Sequence, residues 1–71
     1  MNRLRQRFAQ RLKELRHQKG LTQEDLASTT GLSIGFIRSI EQAVNAPSFE
    51  SIETLASALS VPIKDLFDFD S

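Results

Sequence analysis

Cysteine is absent from these 71 residues. That excludes a disulfide scaffold, a thiolate zinc site and thiol catalysis. No run of about 18 apolar residues occurs, so nothing in the sequence is a candidate membrane span. Net charge is missing too, nine Lys and Arg balancing nine Asp and Glu. There is no strand-like alternation, no repeat and no low-complexity tract. Nor do the residues assemble a nucleophile–base–orienter set, so an enzyme is not expected, and no cofactor, metal or small-molecule ligand is implied. What remains is one small all-α domain over 1–71, with a composition suited to the cytoplasm. A chain this short buries only roughly 60% of its unfolded surface, so pairing with a second copy would help it.

The zero net charge conceals a segregation. Residues 1–20 carry seven basic side chains against Glu14 alone, whereas 21–71 carry Arg38 and Lys64 against eight acids. Such asymmetry hints at an anionic partner for the basic end, unless the acidic part folds back over it.

Leu4, Phe8, Leu12 and Leu15 repeat at helical spacing, which predicts a first amphipathic helix over 3–19, stopped by Gly20. An Arg-rich start of this kind also has the look of a targeting or interfacial helix. Its apolar stripe, however, is needed as one wall of so small a core. Thr22 is the expected N-cap of a second helix, with Asp25 at its third position and Glu24 beside it. As a catalytic carboxylate pair, Glu24 and Asp25 lack any partner. Residues 33–42 are expected to form a third helix with Ile37 and Ile40 inward. Ser48 should cap a fourth, along which Phe49, Ile52, Leu55, Ala56 and Leu59 share a face. Pro62 suits the start of a short fifth helix ending near Phe67. An acidic tail, 68–71, follows; its spacing lacks the glycine and terminal glutamate of a calcium loop.

The organising stretch is QEDLASTTGLSIGFIRSIEQ, residues 23–42. Two short helices are joined there by Thr30-Gly31-Leu32, where Gly31 can enter a left-handed conformation. Ser33 then offers its hydroxyl to the next helix. Two helices crossed through so short a turn make the DNA-reading helix-turn-helix.

With LTQEDLA at 21–27, GLS at 31–33, FIRSIE at 36–41, VNAPSFESIETLASAL at 44–59 and VPIKDLFDF at 61–69, the chain resembles the phage repressor and Cro, or Xre-like, family. That family includes the controller proteins of restriction–modification systems. The resemblance implies a five-helix, lambda-repressor-like domain acting as a bacterial or phage-encoded cytoplasmic transcriptional regulator. Its third helix would enter the major groove of double-stranded DNA, and a homodimer would read a palindromic operator with half-sites about 34 Å apart.

Position by position, the resemblance implies that Gln23 meets a phosphate at a helix N-terminus. Ser33, Ile34, Gly35, Arg38 and Ser39 then fall on the base-facing side of the third helix. Gln42, Asn45 and Arg11 complete the expected DNA-contacting set. Arg16 and Glu41 correspond to a pair joining the first helix to the end of the third. Many members carry a basic residue and then Gly where this chain has Gln42 and Ala43, so that helix end is expected to differ.

Several of these positions keep two readings. Arg38 suits guanine O6 and N7, a phosphate, or an ion pair with Glu41 or Glu50. Ser33 is a cap or a base reader. Ile34 either extends the buried stripe or meets a thymine methyl group. Gly35 marks tolerance at an exposed site or close approach of backbone to DNA. Phe36 and Phe49 are expected at the rim of the core. Arg3, Arg5 and Arg7 form a solvated face or a phosphate-gripping arm. Val44, Ile63, Leu66, Phe67 and Phe69 either line a dimer surface or close the monomer core. The rival function is a protein-interaction or dimerisation module on the same scaffold, with little affinity for DNA.

Overall fold

A computed structural model describes residues 3–69. Four α-helices, α1 (Arg3–Gln18), α2 (Gln23–Thr30), α3 (Ile34–Glu41) and α4 (Phe49–Leu59), precede a 3₁₀ helix at Ile63–Phe67. The element expected as a fifth α-helix is therefore a 3₁₀ turn, and Pro62 stands before it as its cap rather than inside it. Five residues leave too few i→i+4 bonds to outweigh nucleation. The bonds that close the turn run i→i+3, from Asp65 to Pro62 and from Asp68 to Asp65.

The starts of α2, α3 and α4 are each capped by a hydroxyl that the sequence offers. Thr22 and Asp25 form a reciprocal capping box, Ser33 Oγ accepts from Phe36 N–H, and Ser48 Oγ accepts from Ser51 N–H. The helix ends are equally uniform. Gly20, Gly31, Ala43 and Ser60, one after each helix, all have positive φ. After α1, α3 and α4 the paired bonds of a Schellman motif are present; for α3 they run from Ala43 to Ile40 and from Val44 to Ser39. Two of the four left-handed positions thus carry a Cβ, which costs energy that glycine avoids.

Leu12, Leu26, Ile37, Ile40, Leu55, Leu59 and Leu66 are fully buried and form one core with Phe8, Leu15 and Ala56. α1 packs on α3 and the 3₁₀ helix, while α2 packs on α3 and α4. Leu4, expected on the core stripe, and Phe49, expected at the rim of the core, both lie outside it. Leu4 is 60% exposed and Phe49 is 85% exposed, because each sits at the N-terminal end of its stripe and overhangs the packed layer. Leu66, open to a place at a dimer surface or in the monomer core, closes the monomer core, with Phe69 half-buried against it. The rings of Phe8 and Phe67 meet at 5.2 Å between centroids. No helix of the described residues is long and apolar enough to cross a membrane.

Candidate nucleic-acid interface

α3 is buried along Ile37, Ile40 and Glu41 and exposed at Ser33, Gly35, Arg38 and Gln42, while Ile34, Phe36 and Ser39 are half-buried. Gly35, Arg38 and Gln42 make one free ridge of the helix, and Ser33 is exposed at its cap. Ile34 sits partly open at its start, so the buried stripe begins one turn later than strict periodicity allows. A Cβ added at Gly35 would meet nothing within 4 Å, and the backbone there has no positive φ. The fold itself therefore gives no reason for glycine at that position.

What holds this ridge is a polar network at the junction of three helices. Arg16 on α1 donates from Nε to Glu41 Oε2 at 2.7 Å and from Nη2 to Oε1 at 3.0 Å. Its Nη1 donates to the Leu21 carbonyl at 2.9 Å, fixing the α1–α2 turn as well. Glu41 is only 4% exposed, and Arg16 only 8%. Gln23, the first residue of α2, adds a third donor, its Nε2 lying 3.0 Å from Glu41 Oε1. The other end of the same amide, Oε1, accepts from Arg38 Nε at 3.4 Å. A two-point guanidinium–carboxylate pair has strong directional preference, so this junction fixes the angle between α1, α2 and α3. Burying two charges gives little net stability, so the pair acts chiefly in positioning.

The remaining sequence-selected residues divide. Asn45 Nδ2 donates to Ser39 Oγ at 3.0 Å, and that hydroxyl donates to the Phe36 carbonyl at 2.7 Å. Ser39 therefore spends its single proton inside the helix and helps hold the turn after α3. Ser33 acts as cap while its side chain remains exposed. Arg11 lies elsewhere. Its Nε donates to the Asp65 carbonyl at 2.7 Å and its Nη1 to Glu14 at 3.4 Å, fastening α1 to the 3₁₀ helix. That engagement removes Arg11 from the group facing outward beside α3. Arg5 Nη1 donates to the Val44 carbonyl at 3.0 Å, tying the start of α1 to the loop after α3. At the N-terminus of α2 the Asp25 carboxyl is held below the usual aspartate range, first by the Thr22 backbone N–H and then by the Thr22 hydroxyl.

The sequence reading missed two features. One is the linkage of Gln23 to both Glu41 and Arg38, which pairs residues 18 and 15 apart and leaves no local pattern. The other is an apolar cleft of about 220 Å³, whose walls include Leu4, Phe8, Pro47, Ile52 and Phe67.

The restriction–modification controller protein C.AhdI from Aeromonas hydrophila has the same fold. It is 40% identical, with a TM-score of 0.86 over 89% of this chain and 96% of that one. The controller protein C.Esp1396I, in a crystal structure of its tetramer with its natural 35-base-pair operator, is 28% identical. Its TM-score is 0.82, covering 96% of this chain and all of that one. Among curated sequences, the transcriptional regulator DdrOP3 of Deinococcus deserti is 31% identical over 62 residues, 87% of this chain. The chain spans about half the length of that relative, 48%. The helix-turn-helix profile HTH_3 matches residues 12–66, nearly the whole packed core. On these grounds the chain belongs to the HTH_3 helix-turn-helix family, whose controller and repressor members are its relatives.

Proposed function

We propose that this chain is a sequence-specific, double-stranded-DNA-binding transcriptional regulator of the bacterial cytoplasm. α3 enters the major groove, and α2 lies across the backbone with its N-terminal N–H groups toward a phosphate. The observation that carries this reading is the exposed ridge Gly35–Arg38–Gln42, with Ser33 open at the cap, on a helix held rigidly by the Arg16–Glu41–Gln23 junction. Open space over Gly35 fits close approach of backbone to a groove wall. Among the ridge residues, Arg38 has the geometry for bidentate pairing with guanine, and Ile34 offers methyl groups to thymine. Gln42 and Asn45 flank the far end, beside the loop.

The partner in a two-fold complex is a second copy of this chain. Of the five large exposed apolar residues among the described ones, Leu4 and Phe67 line the cleft. Val44 adjoins the lining residue Asn45 in the chain, and Phe49 and Ile63 do not adjoin one. Phe49, the most exposed of them, lies in the chain between the lining residues Pro47 and Ile52, and it is the side chain to fill a partner's cleft while the partner's Phe49 fills this one, as an isologous contact requires.

The test combines salt and substitution. Affinity for duplex DNA should fall with salt at a log–log slope of about −0.9 per phosphate contacted. Gly35→Ala should stabilise α3 by about 0.8–1 kcal/mol in unfolding experiments. It should also weaken duplex binding, because the added methyl group stands where DNA must come. Unchanged or tighter binding by Gly35→Ala, or no salt-sensitive binding by the wild type, would refute the reading.

A further inference from the structure

We infer that Gln23 is the positioning residue that sets how Arg38 reads a base, an inference that rests on the DNA-binding reading above. An ionised carboxylate only accepts hydrogen bonds, so the buried Glu41 fixes which end of the Gln23 amide faces it. The NH₂ turns inward, 3.0 Å from Glu41 Oε1, and the carbonyl oxygen must then face outward. That oxygen takes Arg38 Nε at 3.4 Å. Using Nε for the brace leaves both Nη groups of Arg38 free, and these form a donor pair matching guanine O6 and N7. The guanidinium is otherwise exposed on a flexible stem. The core ion pair thus reaches the reading surface through one amide, in the order Arg16, Glu41, Gln23, Arg38.

The consequence separates two roles for Gln23. A side chain that only grips phosphate affects every duplex alike. A side chain that orients Arg38 affects discrimination at the single base pair that Arg38 reads. Freeing a long side chain restores its rotamer entropy, so the expected loss is roughly three- to ten-fold in preference at that position.

The experiment measures binding of the full chain to a randomised duplex library across a salt series. It compares wild type, Gln23→Ala, Arg38→Ala, the double variant and Gln23→Glu. Gln23→Ala should flatten the same base position as Arg38→Ala and add nothing in the double variant. Gln23→Glu keeps an acceptor for Arg38 but loses the donor to Glu41. It should bind all duplexes more weakly, through added negative charge, while retaining the base preference. The inference is overturned if Gln23→Ala weakens all sequences equally, or if its effect adds to that of Arg38→Ala. Loss of preference in both Gln23 variants also overturns it, because Gln23 would then only brace Glu41. A wild type that binds no duplex removes the regulator reading itself, a result none of the variant outcomes can mimic.

Discussion

Removing the Glu41 carboxylate should be the most damaging single change outside the apolar core. In Glu41→Ala, Arg16 loses acceptors for Nε and Nη2 and keeps only the Leu21 carbonyl, while its side chain stays 9% exposed. Gln23 loses its inward partner at the same time. Leaving one buried charge without its partner costs about 3–5 kcal/mol. A domain of this length has a total stability of roughly 4–11 kcal/mol, so much of it would go. At about 4–8 °C per kcal/mol the melting temperature should drop by at least about 12 °C. Urea unfolding followed by circular dichroism at 222 nm checks this directly. The companion variant is Arg16→Met with Glu41→Leu, which removes both charges and keeps similar volume. Such replacement of a buried pair is commonly neutral or stabilising, so the double variant should unfold near the wild-type midpoint. It should nonetheless read DNA with less discrimination, because nothing then orients the Gln23 amide. A cost below about 1 kcal/mol for Glu41→Ala would refute the reasoning, since it would mean that water already reaches Arg16 in the native state.

The other expected outcomes are smaller. Ala43→Gly relieves a left-handed Ala at φ 62°, and after the entropy of glycine in the unfolded chain it should stabilise the domain by about 0.5–1 kcal/mol in urea titration. Phe49→Ser should weaken self-association about 30-fold or more in analytical ultracentrifugation, as loss of a central aromatic anchor does. It should leave monomer unfolding almost unchanged, since Phe49 is already exposed. The Asp25 carboxyl is lowered in the folded state, so its contribution is complete above the unfolded value. That contribution is lost as pH falls through the folded one. Melting temperatures between pH 6 and pH 2 should therefore show a shallower acid decline for Asp25→Asn below about pH 4.

Local signals in the sequence determined the helices. Hydroxyl caps at Thr22, Ser33 and Ser48, glycines at 20 and 31, and the stripes Phe8–Leu12–Leu15 and Ile37–Ile40 each act within one turn of backbone. Their outcome needs no distant partner. Periodicity failed at helix ends, where Leu4 and Phe49 match the stripe but extend past the layer they would pack on. It failed again at 63–67, where the packing of Leu66 and the five-residue length gave a 3₁₀ turn in place of an α-helix. Only tertiary structure could decide the reading surface. The family resemblance already gave Arg16–Glu41, but Gln23 meets Glu41 and Arg38 across 18 and 15 residues, and Arg11 is drawn away to Asp65 across 54. Such polar partnerships follow from where packed helices place their side chains, and a linear pattern carries no record of that geometry.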